Sequence, residues 1–385
     1  MKKTILFCFV VIISLNALAS SKDDISFGGY IRETPVVWKP YSFSGIEKKY
    51  QLNNLLNMRN NWRWYISDPL TFGLELKTRF IAGKKAGALQ REAEFTALGA
   101  SLFKWQRDFV DEENVAVYST VDRAWINWNL GFWEIIAGRQ RIAWGTNLVW
   151  NPIDIFNPSS PLDFDNEEMP GTDALRLQCY IGTNSKFELA VAPQRDEEAT
   201  IAAGKLKLNF SDYDWIIIAG RRKVENFVGG AFAGNIYGGG FRGEMIYVTR
   251  KTNDVIDNYY SASVSGDYTF RNSLYLHSAI LYNDRGTTEK AGGLRLYQAY
   301  INGDLTPSKM SLFGQVAGNV TPLVRVDFSG IINPYDKSWY AGPSARWSVM
   351  TDIDITLWMM IFGGDKLTEF GDNSNIFMLR LKWSY

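Results

Sequence analysis

The stretch that decides the fold is NIFMLRLKWSY, residues 375–385. Every second side chain, Phe377, Leu379, Leu381, Trp383 and Tyr385, is large and apolar, while Arg380, Lys382 and Ser384 fill the gaps. Side chains alternate between the two faces of a strand, so this segment is a strand with one oily and one wet face. The remaining sequence says what lies on each side.

The same alternation runs through the chain. In LLNMRNNWRWYI, residues 55–66, Leu56, Met58, Trp62, Trp64 and Ile66 share one face, and Asn57, Arg59, Asn61 and Arg63 the other. Ser67-Asp68-Pro69 then supplies a turn, and LTFGLELKTRF (70–80) sets Leu70, Phe72, Leu74 and Leu76 against Glu75, Lys77 and Arg79. Hairpins of this kind recur at 172–182 with 185–193 and at 205–210 with 214–223. Further strands are expected over 25–38, 116–130, 132–145, 226–235, 238–250, 258–270, 273–283, 310–318, 322–332, 339–349 and 353–363. This makes about eighteen strands, with a range of 16 to 20.

Aromatics form 15 % of the residues, with 14 tryptophans, yet the mean hydropathy is only -0.17. No segment after the N-terminus approaches the roughly 18 consecutive apolar residues of a membrane-crossing helix. An antiparallel transmembrane β-barrel reconciles these facts, because each strand shows lipid only alternate side chains and aromatics gather at the two interfaces. An exported soluble β-sandwich is the rival, but strands of this length exceed the usual five to six residues and suit a tilted crossing of about 9 to 11.

The first residues, MKKTILFCFVVIISLNALAS, combine Lys2 and Lys3, an apolar run from Ile5 to Leu15, and a small-residue end. This is the pattern of a secretory signal peptide, expected over 1–19, with the barrel as a single domain over 20–385. Of the two cysteines, Cys8 leaves with the signal and Cys179 remains, so no internal disulfide framework is expected. A formal net charge of zero gives no reason to expect a nucleic acid partner.

A barrel alternates short periplasmic turns with longer outer connections. Short turns are expected near 68, 131, 184, 212, 237, 272, 320 and 351, and long connections at 39–54, 82–115, 146–171, 194–203, 251–257, 284–309 and 364–374. Brief connections at 224–226 and 333–338 are exceptions. GLRLYQAYING (293–303) has a strand-like pattern, yet parity assigns it to an outer loop.

At 16 to 18 strands the interior is wide enough for water, and the wet faces line it. The expected pore-lining cations are Arg59, Arg63, Lys77, Arg79, Arg123, Arg139, Arg141, Arg176, Lys205, Lys207, Arg242, Arg325, Arg346, Arg380 and Lys382. The inward acids, Glu75, Glu188, Asp214, Glu244, Asp327 and Asp354, are fewer. Such an interior would favour anions, unless the arginines pair with those acids and only keep the wall solvated. A register slip of one residue would also swap the faces.

One segment breaks the alternation: GRQRIAWGTNLVWNPIDIFNPSSPLDFDNEEMPG, residues 138–171. A strand ending at Trp144-Gly145 runs into a loop with Asn-Pro steps at 151–152 and 157–158, which remove ladder donors and force turns. Leu148, Val149, Trp150, Ile153, Ile155 and Phe156 are not residues to leave in water. The expectation is that loop 146–171 folds inward as a constriction, with Trp150, Asn151, Pro152, Asp154, Phe156, Asn157 and Pro158 as its core.

GRQRIAWG followed by WNPIDIFNP resembles the strand-and-loop segment of porin-like outer-membrane barrel families of Gram-negative bacteria. The detailed resemblance covers about twenty residues, and the barrel pattern extends it weakly to the whole chain. It implies a pore or transport role in the outer membrane and names no solute. The alginate-export barrels are similar in shape only. The alternating C-terminal strand, Phe377, Leu379, Leu381, Trp383 and Tyr385, also resembles the signal read by the barrel-assembly machinery.

Enzyme chemistry finds little support. The one histidine, His277, lies on a strand with no nucleophile on its face, Ser278 pointing the other way. Zinc and cysteine chemistry lack ligands, and no metal or cofactor is expected. The acids between Asp163 and Asp173 fit no defined calcium loop, and IYGGGFRGEM (236–245) reads as a tight turn, not a phosphate cradle.

The expected function is passive diffusion of small polar solutes, with anions favoured, through an outer-membrane channel. The expected surroundings are outer-membrane lipid and lipopolysaccharide. The alternative is a non-conducting barrel that anchors or exports a surface polysaccharide or scaffolds partners. The lipid face shows no distinct interface stripe, and oligomerisation is left open.

Overall fold

The computed structural model describes residues 24–39, 50–83, 101–158, 162, 167–169, 171–195, 199–252 and 255–385. The expected signal peptide, and Asp163 and Asp165 of the acidic run, lie outside these. The strands are β1 (Ile25–Trp38), β2 (Gln51–Ser67), β3 (Leu70–Gly83), β4 (Gln106–Asp111), β5 (Val115–Asn129), β6 (Trp133–Gln140), β7 (Thr172–Ile181), β8 (Ser185–Ala192), β9 (Ile201–Phe210) and β10 (Tyr213–Arg222). They continue with β11 (Glu225–Ile236), β12 (Gly239–Thr252), β13 (Val255–Thr269), β14 (Tyr275–Asn283), β15 (Met310–Thr321), β16 (Val324–Ile332), β17 (Trp339–Met350), β18 (Ile353–Gly363) and β19 (Ile376–Ser384). Among the described residues one helix, α1 (Leu294–Asn302), lies between β14 and β15.

Neighbouring strands pair antiparallel, and β1 pairs with both β2 and β19, so the sheet closes on itself. Only β4 stands apart. β3 pairs directly with β5, while β4 runs beside the upper part of β5 at residues 116–120, above the stretch 124–129 that pairs with β6. The closed ring therefore has eighteen strands, and β4 fills a notch above β6. Closure pairs every strand of the ring on both sides, and among the described residues β4 alone keeps one unpaired side.

The turns fall at the expected end, at 68–69, 130–132, 182–184, 211–212, 237–238, 270–274, 322–323 and 351–352. Two are two-residue hairpins with both residues at positive φ, Ser211 (55°) with Asp212 (61°) and Tyr237 (50°) with Gly238 (84°), the geometry that matches strand twist. The segment 293–303 is α1, not a strand, and sits within an outer connection as parity required. The expected long connection at 251–257 is largely strand, with β12 running to Thr252 and β13 starting at Val255. Two further points differ from expectation. β6 stops at Gln140 instead of running to Gly145, and β4 had no counterpart in the sequence pattern.

The outward face is apolar. Leu379, Leu381 and Trp383 are each close to half exposed, as are Ile217, Val228, Leu276, Ile280, Phe328 and Leu357 around the ring. Aromatic pairs collect on this face near the turns: Phe27–Trp62, Trp64–Phe72, Phe210–Trp215, Phe232–Phe241 and Tyr268–Phe270, with ring centroids 4.7 to 6.1 Å apart. This is an interfacial girdle. Tyr385 belongs to it. Its backbone pairs with Gly29 across the closing seam, and its hydroxyl donates to Arg59 O (3.1 Å) and Asn60 Oδ1 (2.8 Å).

Candidate pore constriction

The inward loop begins where β6 ends. Gly138, at φ 113°, adopts a conformation that residues with a Cβ avoid, and after Gln140 the chain leaves the wall for the interior. The alternation, Ile142 and Trp144 against Arg141 and Ala143, continues beyond this point, but its oily face meets the inner wall and not lipid. Ile142, Trp144, Ile153, Ile155 and Phe156 form one buried cluster with Ala174, Ala190, Ala192, Ala203, Ile216, Ile218, Phe227, Ala231, Ile246 and Val248 of β7–β12. The alanines matter because they leave space. A small inward face makes the seat, and a row of apolar side chains fills it to interior packing density.

Trp150 and Val149 reach the other wall. They cluster with Val36 of β1, Ala279 and Leu281 of β14, Ile331 of β16, Tyr340 of β17, Met360 of β18 and Met378 of β19. Trp150 is 1 % exposed and meets Phe313 edge-on at 6.3 Å. A sharp reversal brings Gly145 against Asn151, where a Cβ at Gly145 would lie 2.2 Å from Asn151 Oδ1. Of the six apolar loop residues expected to be hidden, Leu148 is the exception, at 54 % exposed.

Backbone groups of a loop inside a barrel need partners, because unpaired buried amides are costly. Glu244 on β12 supplies them. Its carboxylate accepts from Thr146 N, Asn147 N (2.8 Å), Ile153 N (3.3 Å) and Thr146 Oγ1 (3.0 Å). Asn147 binds β13 through Ser263 O (3.3 Å) and Ser265 Oγ (2.7 Å). Within the loop, Asn157 Oδ1 accepts from Ile142 N at 3.2 Å, and Asp154 Oδ1 accepts from Trp144 N at 3.4 Å. Pro152 is buried, and Pro158 is exposed where the loop turns away.

The far end of the loop crosses to β1, β2, β5 and β19. Glu167 binds Lys382 (2.6 Å) and Arg380 (2.9 Å) and lies 3.6 Å from Arg32. Glu168 accepts from the Tyr30 hydroxyl (3.0 Å) and pairs with Arg59 (3.4 Å). Met169 O accepts from Arg123 at 3.0 Å. Behind these, Arg59 is clasped by Glu75 and Asp122. Asp122 is the extra residue of a β-bulge, since Glu75 pairs with Arg123 and Leu76 with Val121. The bulge lets Asp122 and its neighbour Arg123 both serve the interior.

The expected pore-lining cations thus divide into groups. Arg176 and Lys205 converge on Glu188, joined by Lys186, which the expected set lacks; Glu188 is fully buried and also accepts from Trp144 Nε1 at 3.3 Å. Lys207 pairs with Asp214 (2.8 Å) and Arg242 with Asp267. Arg79 binds Asn57 (3.0 Å) and Tyr118 (3.2 Å), and Lys77 is buried. Arg139 does not line the interior. It is packed in the wall, donating to Asp122 O (3.1 Å) and Ser101 Oγ (2.8 Å) and pairing with Asp173 (3.5 Å), because β4 and the preceding residues cover it. Arg141 belongs to the loop and is exposed. Arg63, Arg325 and Arg346 are exposed near the turn end and form no ion pair among the described residues. Arg325 and Arg346 sit directly opposite each other on β16 and β17.

Three further buried charged residues stand outside the expected set. Arg32 is inward and 0 % exposed, flagged by its alternation with Tyr30 and Thr34. Glu225 gathers Arg222 (2.9 Å), Arg250 and Tyr259 (2.9 Å) beneath the outer rim. Glu369 lies in a knot of outer connections, accepting from Thr306 Oγ1 (2.9 Å) and Asn333 Nδ2 (3.0 Å). Burial among these loops pushes its carboxyl up to about 7, with Asp336 adding to the rise.

No protein-family model matches the chain, and no curated protein matches it in sequence. Solved structures do match in shape. OccAB3 of Acinetobacter baumannii superposes with a TM-score of 0.60 at 9% identity, covering 94% of this chain and 100% of its own. OccAB4 of the same organism gives 0.59 at 7%, covering 95% and 99%. The outer membrane protein OprD of Pseudomonas aeruginosa gives 0.59 at 10%, covering 94% and 93%. The eighteen-strand ring, its apolar belt and these likenesses agree: the chain has the fold of the porin-like barrels of the Gram-negative outer membrane.

Proposed function

We propose that this barrel is a passive channel for small polar solutes and that it favours anions. The observation that carries the reading is the two-sided interior. The loop of residues 141–158 fills the β7–β12 side with apolar bulk, while charged side chains occupy the side of β1, β2, β5 and β19. Solutes would pass between a dry body and a charged wall. An arrangement of this kind narrows a barrel without sealing it, and selectivity then follows from width and wall charge.

Most cations are neutralised by carboxylates, so the anion preference rests on a smaller set than the sequence census. Arg325 and Arg346 support it, because like charges directly opposite across a ladder repel and are relieved by an anion between them. Arg63 adds a third exposed cation toward the same end. The test is planar-bilayer recording of the purified protein. Ion-permeable steps are expected, and in a salt gradient the reversal potential should lie on the anion side. Replacing Arg325 and Arg346 together by Gln should move it toward zero. A closed membrane refutes the channel, and cation selectivity in the wild type refutes the preference.

A further inference from the structure

The outer rim of the barrel is uneven. Long connections follow β3, β6, β14 and β18, but β10 and β11 are joined by Lys223-Val224 alone and β12 and β13 by residues 253–254. These strands carry no long connection at their outer ends. Their inward positions are the buried Ile218, Phe227, Val248 and Tyr259, so Arg221, Asn226, Thr249 and Asn258 face outward, as does Lys251. Arg221 pairs across the ladder with Asn226, Asn226 with Thr249, and Thr249 with Asn258, giving one polar row over four strands. The next outward row toward the turns is Ala219, Val228, Tyr247 and Tyr260, which is apolar and aromatic. Arg221 and Lys251 are exposed, as is Lys223 at the tip of its turn, and none of the three forms an ion pair among the described residues. Arg221 Nε donates to Lys223 O at 3.1 Å, which holds the two cations together. The outward positions of β10–β12 hold no carboxylate.

Depth says what these groups meet. Arg221 stands six residues above Trp215 of the girdle, and Thr249 and Lys251 stand eight and ten above Phe241. For strands rising about 3.3 Å per residue at a tilt near 40°, these are heights of roughly 15, 20 and 25 Å in an apolar band about 25 Å tall. The row therefore lies where hydrocarbon gives way to the polar layer of the outer leaflet. An arginine on the lipid face at this depth is costly unless its head reaches upward to that layer. Three cations without a carboxylate call for an anion, and a planar guanidinium beside ammonium groups suits phosphate. Asn226, Thr249 and Asn258 offer neutral donors and acceptors, the chemistry that matches hydroxyl and amide groups. The apolar row beneath matches acyl chains. One kind of molecule carries all three parts in that vertical order: a phosphorylated saccharide with acyl chains.

We infer that the outer end of β10–β13 is a binding site for a phosphorylated glycolipid of the outer leaflet, with Arg221, Lys223 and Lys251 on its phosphate and Asn226, Thr249 and Asn258 against its sugar. This stands independently of what the channel passes. The test is titration of the lipid-stripped barrel, in a neutral detergent, with bis-phosphorylated lipid A. Native mass spectrometry counts the bound lipid, and a heat-modifiable gel band reports that the barrel is folded. The wild type should hold a lipid A molecule. A basic residue near an anionic surface contributes about fivefold in affinity, so the triple variant Arg221→Gln, Lys223→Gln, Lys251→Gln should bind on the order of 10²-fold more weakly. The charge-keeping triple Arg221→Lys, Lys223→Arg, Lys251→Arg should retain the lipid. So should Lys290→Gln, Arg295→Gln, Lys366→Gln, which removes the same charge from exposed positions on the outer connections. Dephosphorylated lipid A should bind the wild type as weakly as lipid A binds the glutamine triple. A wild type that holds no lipid A would overturn the inference, as would a folded glutamine triple with wild-type affinity or equal binding of the dephosphorylated lipid. An equal loss in the outer-connection variant would show net charge acting without a site, and displacement of the lipid by inorganic phosphate would make the site one for free phosphate; either result overturns the assignment.

Discussion

Glu244→Ala is the perturbation that most directly tests whether the inward loop sets the pore. The wild-type carboxylate accepts three backbone amides and one hydroxyl from residues 146–153, and Glu244 is 4 % exposed. Alanine removes every acceptor and leaves the three amides in a space shielded from water. Each such orphan costs about 1–3 kcal/mol, so the docked loop should weaken by roughly 3–6 kcal/mol, allowing for partial relaxation and water entry. At about 1.4 kcal/mol per tenfold, the undocked population rises on the order of 10²–10⁴-fold. Single-channel recording should then show larger conductance with frequent transitions between levels, and limited proteolysis should cut within 141–158. Glu244→Gln keeps one acceptor oxygen and should fall between. If Glu244→Ala folds as a barrel yet conducts with the wild-type amplitude and noise, the loop does not govern passage, and the constriction assignment fails.

Glu167→Gln tests the opposite anchor. Its pairs with Arg380 and Lys382 are partly exposed, worth about 0.2–1 kcal/mol each, so docking should loosen by about two- to thirtyfold. The larger effect is on charge: Arg32, Arg380 and Lys382 lose their shared carboxylate, and the reversal potential should move further toward anions. An unchanged potential would show that these cations lie off the path. At the outer rim, Glu369 gives a pH dependence of known sign. Its carboxyl is raised from 4.5 to about 7, so the folded loops hold its proton more tightly than the unfolded chain. The stability this contributes is full below about pH 4.5 and is lost as pH rises through 7, a span on the order of 3 kcal/mol. Hydrogen exchange in 284–309 and 364–375 should quicken across that window, and Glu369→Gln should flatten the profile. A wild-type profile without a slope there would refute the burial argument.

The strands were legible because a lipid-facing barrel repeats one instruction about eighteen times. Leu379, Leu381 and Trp383 face outward and Arg380 and Lys382 inward, as their alternation indicates. What alternation does not say is which apolar medium the oily face meets. Ile142 and Trp144 keep the period of β6, but their partners are Ala190 and Ala203 on an inner wall. A signal was present: the wet faces of β7–β9 carry alanine at positions 174, 190, 192 and 203, where water would call for polar groups. The charge census suffered from a different cause. Residue types give the number of inward arginines, but pairing depends on cross-strand register and on a bulge at Asp122, which no local pattern announces. Arg139 was misplaced for a related reason. β4 has only six residues, too few for a clear period, and it is β4 and its approach that cover Arg139.

The seat of Trp150 is assembled from both ends of the chain. Val36 on β1 and Met378 on β19 touch the same cluster, and these two strands meet only when the sheet closes. Until then the indole has half a binding site. The loop is therefore positioned to act as an internal gauge of completion: it settles fully only around a ring whose first and last strands have zipped in register. A barrel closed one step out of register would displace Val36 from Met378 and leave the loop unseated, a product distinguishable from the correct one by its protease sensitivity even if its strands were all formed. Proofreading of assembly would then reside in the same residues that we propose narrow the path.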